Sequence, residues 1–152
     1  MAITKIIALK ARMDTAINYV TNKEKTVLKN AVAYAANPDK NMGRVLEGSS
    51  GCSIDNAHTQ MKETKDQHGK KGGVLGYHII QSFAPNEATP EQAYAISSEF
   101  VYRYLALEYE TVWSTHVDRD HIHSHIVFNS VSYVDGKKYV SNRKTYAEIQ
   151  RI

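Results

Sequence analysis

Two β-type runs, YETVWSTHV over 109–117 and HSHIVFNSVSYV over 123–134, stand a few residues apart near the C-terminal end of the chain. The second alternates strongly, and in a strand residues two apart face the same side. His123 and His125 therefore project together. With 117–122 as the connecting turn, His116 on the preceding strand faces them. This pairing constrains the fold more than any other feature, because it sets two neighbouring strands and puts a chemically active face on them.

The rest of the chain reads as elements that can pack around such a sheet. Residues 3–10 (ITKIIALK) form a first strand, rich in β-branched side chains. Asp14 caps a helix carrying Ala16, Ile17 and Val20 on one face with Tyr19 beside them, and a second helix covers 27–36 until Pro38 stops it. The helices share the pattern A-[IV]-x-Y-x-x-N-x-[DE]-K, centred on Tyr19 and Tyr34. A strand and Gly/Ser turn follow over 43–54, then a helix over 55–69, a basic turn at 70–73 and a central strand at 74–83. Thr89 caps a helix with Pro90 at its favoured first position, running to about Leu107. Asp135-Gly136 is a turn signal that lets 137–141 pair back as a short hairpin strand, and a last helical pattern begins near Asn142. The order predicts an α+β sandwich, helices on a mainly antiparallel sheet, in one domain over 1–152 trimmed at its C-terminus from a longer protein.

Composition narrows the setting. A single cysteine, Cys52, excludes an internal disulfide framework, and no apolar run approaches the length of a membrane helix or a signal-peptide core. A cytoplasmic protein is expected. A formal charge of +3, from 19 Lys+Arg against 16 Asp+Glu, is compatible with nucleic acid without requiring it. Two distributions say more: ten of the fourteen aromatics are tyrosines, and His116, His121, His123 and His125 crowd into ten positions.

A lone histidine is more often a half-buried packing residue than a ligand. Three on a two-strand unit read instead as a divalent-metal site, with positions left for water and substrate oxygens. Asp118 is placed to accept the second ring N–H of a ligand and fix its tautomer. His121 shares the parity of His123 and His125 but falls in the turn, where a DNA contact or a structural role suits it equally. Imidazoles accept Mg²⁺ or Mn²⁺ as well as Zn²⁺, Ni²⁺ or Co²⁺, and affinity order does not choose among them. The glutamate of H-E-x-x-H hydrolases is missing, so the nucleophile must come from elsewhere. A tyrosine hydroxyl can attack a phosphodiester whose phosphate a metal polarises, leaving a phosphotyrosine and a free 3′-hydroxyl.

The run His116-x-Asp118-x-Asp120-His121-x-His123-x-His125-Ile-Val-x-Asn129 resembles the third motif of MOBP-type conjugative and mobilisation relaxases of the HUH endonuclease superfamily. Tyr19-x-x-Asn22-x-Glu24-Lys25-Thr26 resembles their tyrosine-bearing first motif. Gln81-Ser82-Phe83-x-Pro85-x-Glu87-x-Thr89-Pro90-Glu91 resembles the middle stretch of such relaxases from Gram-positive gut bacteria. The resemblance covers essentially the whole chain. It implies a five-stranded antiparallel sheet with the histidines on its two central strands, and strand-specific, reversible nicking of single-stranded DNA at an origin of transfer. Carried over by position, His116, His123 and His125 are the metal ligands and Tyr19 or Tyr34 the nucleophile. Tyr19 keeps the fuller signature with Lys25-Thr26, whereas Tyr34 lies at the more usual spacing before the next strand. The resemblance also implies a bacterial cytoplasmic setting and partners among the accessory and coupling proteins of conjugation.

Basic side chains and aromatic stacking hold single-stranded DNA. Candidates by position are Lys70, Lys71 and Arg119, with Lys137, Lys138, Arg143 and Lys144 following the metal-bearing strand. Two other readings stay open at this level. One is a rolling-circle replication initiator, whose tyrosine normally follows the histidines, as Tyr133, Tyr139 and Tyr146 do here. The other is a DNA-binding module without catalysis.

Overall fold

The computed structural model describes residues 3–21, 46–70, 72–117 and 121–150. Strand β1 (Ile3–Leu9) leads into helix α1 (Met13–Val20). Strand β2 (Glu47–Ser50), helix α2 (Ala57–Gln67), strand β3 (Gly76–Phe83) and helix α3 (Pro90–Tyr104) follow. Strands β4 (Thr111–His116) and β5 (Ile122–Asn129) and helix α4 (Arg143–Gln150) complete the described elements. The second predicted helix, its Tyr34 and the start of the predicted 43–54 strand lie outside the described residues.

The five strands form one antiparallel sheet in the order β1-β3-β5-β4-β2. The predicted α+β class holds, and β4 and β5, the two histidine strands, lie inside the sheet. Alternation then sorts the side chains onto two faces. On one face, Val112 and Val127 meet Met13, Ile17 and Val20 of α1 and Ala57 and Met61 of α2. Met13, Ile17 and Val20 recur at helical spacing, so a single stripe of α1 is buried. Each such side chain stabilises the fold by about 1.5–3 kcal/mol on burial. The opposite face carries the larger core, where Tyr77, Ile79, Trp113, Ile126 and Phe128 pack with Phe100 and Val101 of α3 and Ile149 of α4.

Local chemistry sets the boundaries. The Thr89 hydroxyl accepts from the Gln92 backbone N–H while the Gln92 side chain accepts from the Thr89 N–H, a reciprocal cap with Pro90 behind it. Helix α3 ends at Tyr104, short of the expected Leu107, where the Ala106 N–H reaches past Tyr102 to the Val101 carbonyl that already accepts the helical bond from Leu105. Strand β5 ends at Asn129 rather than near 134: Ser130 N–H leaves the ladder for the Leu75 carbonyl, and Tyr133 N–H for that of Glu108. The expected hairpin strand at 137–141 contracts to a single antiparallel bridge, Val131 with Lys138, around Gly136 at φ 73°. Gly48 is required by close approach, since a Cβ there would lie 2.5 Å from the Trp113 ring.

Candidate active site

Register brings the histidines together. His116 pairs directly with His123 across β4 and β5, and His125 lies two residues further along β5, opposite Ser114. All three share the face that α1 covers. The ring centroids of His116 and His125 are 4.3 Å apart, and those of His123 and His125 6.2 Å. His116 and His125 are almost wholly buried, whereas His123 is half-buried.

Tyr19, the penultimate residue of α1, closes the group from above. Its ring stands edge-on to His116 and His125, at centroid distances of 5.2 and 5.4 Å, and 41% of the residue remains exposed. The end of α1 is tied to the sheet next to it. The Val20 carbonyl accepts from the Ser114 hydroxyl and lies 3.1 Å from His116 Nε2. A helix end has unsatisfied carbonyls, and here β4 supplies two partners for one of them.

These contacts also set tautomers. A ring N–H given to the Val20 carbonyl leaves the His116 lone pair on Nδ1. The His121 carbonyl lies 3.1 Å from His123 Nδ1 and leaves the His123 lone pair on Nε2 in the same way. Metal-binding histidines are commonly oriented by such a contact to their other ring nitrogen. Three imidazoles sharing one cation at a metal–nitrogen bond of about 2.1 Å have centroids about 5 Å apart, and the observed 4.3 and 6.2 Å bracket that spacing. The donor chemistry therefore fits a divalent cation. Among the described residues, no three His, Cys, Asp or Glu side chains stand as a closed coordination set.

A cavity of about 220 Å³ opens at this point, lined by Tyr19 and the three histidines with Lys5, Ile80 and Ser82. Lys5 and Ile80 carry no local sequence signal, and Ser82 stands in the middle motif without a site role assigned to it. Lys5 is opposite Ile80 in the β1–β3 register, and Ile80 is opposite His125 in the β3–β5 register. Only that strand order carries a residue from position 5 to the histidine face. A fourth histidine on the same face, His78 of β3, places Nε2 2.9 Å from Nδ1 of His125. Burial, and secondarily repulsion from His116, lowers its ring to about 4.

The other predicted residues have different surroundings. His121 is exposed and contributes its backbone carbonyl to His123. Asp118, Arg119 and Lys71 lie outside the described residues. Lys70 donates to the Gly136 carbonyl and Lys138 to that of Gly72, which ties two loops together where β3 begins and β5 ends. Lys137 is exposed in the same region, and Arg143 and Lys144 are exposed on the first turn of α4. None of these lysines or Arg143 lines the histidine cavity. Asn129, which ends the histidine motif, is buried away from the cavity, bonded to Lys65, the Met61 carbonyl and Glu110. Of the tyrosines that follow the histidines, Tyr139 packs in the core of the opposite face and Tyr133 donates to the Ala106 carbonyl.

Comparison with known proteins agrees with this architecture. The family described as "Relaxase: MobA/VirD2-like, nuclease domain" matches residues 34–152. The chain is 35% identical to "Protein rlx" of Staphylococcus aureus over 99% of its own length and 39% of that protein's. It is also 35% identical to "Group II intron-interrupted relaxase LtrB" of Lactococcus lactis subsp. cremoris, over 80% of this chain and 28% of the relative. The chain thus spans well under half the length of these relatives, and it belongs to the MobA/VirD2-like relaxases, in the part that forms their nuclease domain.

Proposed function

We propose that this chain nicks one strand of DNA at an origin of transfer, with Tyr19 as the nucleophile and His116, His123 and His125 holding a divalent metal ion, Mg²⁺ or Mn²⁺ in use. The observation that carries this reading is the placement of Tyr19: the chain's first tyrosine stands edge-on to two of the three imidazoles, on the wall of the cavity they line. When bound, the cation polarises the scissile phosphate and offsets the charge that develops on it. The Tyr19 hydroxyl oxygen forms a bond to phosphorus and loses its proton. The bond from phosphorus to the 3′ oxygen breaks, and that oxygen takes up a proton to become a 3′-hydroxyl. The phosphodiester is exchanged for a phosphotyrosine ester, so attack by a 3′-hydroxyl reverses the reaction and religates the strand.

Lys5 contributes a positive charge at the cavity wall, where a phosphate beside the scissile one would lie. Ser82 adds a hydroxyl within the same cavity. Asp118, Arg119 and the second motif tyrosine, Tyr34, remain candidates for supporting contacts by their sequence positions. Transfer of the nicked strand would then engage the accessory and coupling proteins of conjugation. Among the described residues no helix is long and apolar enough to cross a membrane.

The test uses labelled single-stranded DNA carrying the origin of the element that encodes the chain, incubated with Mn²⁺ or Mg²⁺ and run on denaturing gels. Wild type and Tyr34→Phe are expected to give a metal-dependent covalent protein–DNA band, and Tyr19→Phe none. A band retained in Tyr19→Phe and lost in Tyr34→Phe would transfer the nucleophile to Tyr34. Absence of any nick or adduct in wild type would leave a DNA-binding module as the better account.

A further inference from the structure

The fourth histidine on the reactive face stands behind the cavity rather than in it. His78 faces Val127 across β3 and β5, one step diagonal from His125, which faces Ile80. Cross-strand diagonal positions are within reach of long side chains. The two rings take that option, with Nε2 of His78 2.9 Å from Nδ1 of His125 and centroids 5.0 Å apart. His125 lines the cavity and His78 does not. The contact therefore reaches His125 on the ring nitrogen bonded to the carbon nearest its backbone, whose partner decides where the lone pair sits.

We propose that His78 is a positioning residue for the imidazole site, accepting the Nδ1–H of His125 so that the His125 lone pair stays on Nε2. The proposal rests on the metal-site reading above for its purpose, and on the hydrogen bond alone for its geometry. A neutral imidazole is the less usual tautomer with its proton on Nδ1, so an acceptor at this position does work that β5 by itself does not. His116 and His123 have their tautomers set instead by backbone carbonyls, which are fixed by the fold: His116 through Nε2 and His123, like His125, through Nδ1. The tautomer of His125 is set by a side chain, which a single substitution can remove.

The experiment uses the whole chain and has two arms. In the first, ¹⁵N-detected tautomer measurements on metal-free protein are expected to show His125 protonated on Nδ1 in wild type. His78→Gln offers an amide oxygen as acceptor and is expected to keep that tautomer, whereas His78→Leu shifts His125 to the Nε2–H form. A wild-type His125 protonated on Nε2 overturns the proposal. In the second arm, Co²⁺ is titrated with its visible spectrum followed. His78→Leu is expected to weaken Co²⁺ binding about 10–100-fold with an unchanged spectrum of the bound ion, and His78→Gln to bind within a few-fold of wild type. Equal affinity in His78→Leu overturns the positioning role, and an altered spectrum overturns it in favour of direct ligation by His78. If wild type itself takes up no Co²⁺ while His125 keeps the Nδ1–H tautomer, the metal reading has failed and with it the purpose assigned to His78.

Discussion

The ring of Tyr19 meets that of His116 at an interplanar angle of 77°, and His116 Nε2 lies 3.1 Å from the carbonyl of Val20, the residue that follows Tyr19. Helix α1 and strand β4 are thereby locked where the phenol and the imidazoles converge. Ser114, which donates to that carbonyl, is outside the cavity yet takes part in the lock.

Ser114→Ala is therefore expected to cost about 1 kcal/mol of stability and to slow adduct formation more than it weakens DNA binding. A loosened α1 end misplaces the nucleophile, and small misplacements lower rates by about tenfold or more. Single-turnover nicking measured beside DNA affinity checks the split; equal losses in both would place Ser114 in substrate binding instead.

Lys5 is expected to act through its charge. Lys5→Gln should weaken single-stranded DNA binding and reduce the slope of log affinity against log salt by about 0.7, the contribution of one neutralised phosphate. Titrations at several salt concentrations measure this. An unchanged slope would leave Lys5 as a solvated edge-strand residue.

Gly48→Ala is expected to destabilise the fold by about 1–3 kcal/mol, because the new Cβ meets Trp113 ring atoms at 2.5 and 2.6 Å and the Tyr94 hydroxyl at 2.9 Å. The chain has one tryptophan, so its fluorescence reports both the local change and the denaturation midpoint.

Lys65 tests the polar anchor at the far end of β5. Its ammonium donates to Asn129 Oδ1 at 2.7 Å and to the Leu75 carbonyl at 3.1 Å, and burial lowers it to about 8. Between pH 8 and the ordinary lysine value of 10.5 the unfolded chain binds more protons than the folded one, so this group makes stability rise with pH across that window. Below pH 8 both states are protonated and its contribution is level. Lys65→Met should cost about 1–3 kcal/mol by stranding its acceptors and remove that rise. Melting curves of both proteins from pH 7 to 10 are the check, and parallel curves would contradict it.

Much of this molecule is legible from local pattern. The His123–His125 parity and the buried stripe of α1 follow from periodicities of two and 3.6 residues, the facing of His116 and His123 from the short spacing between their strands, and the Thr89 cap from a hydroxyl just before Pro90. Boundaries were less legible. Residues 130–134 keep the composition of a strand, yet Ser130 and Tyr133 find backbone partners in Leu75 and Glu108, far away in sequence. Nor does the sequence show where the basic candidates end up: Lys70, before β3, and Lys138, after β5, donate to the Gly136 and Gly72 carbonyls, at the end of the sheet away from the histidine cavity.

By itself, the sequence determined which residue types face together within each strand and helix, since that is a property of backbone geometry over a few residues. Strand order is another matter. Placing β3 between β1 and β5 brought Lys5, Ile80, Ser82 and His78 to the histidine face, and docking α1 over β4 and β5 brought Tyr19 to the imidazoles. Those contacts join positions as much as 106 residues apart, as between Tyr19 and His125. They depend on how whole elements bury their apolar faces against one another, so only the tertiary structure decided them.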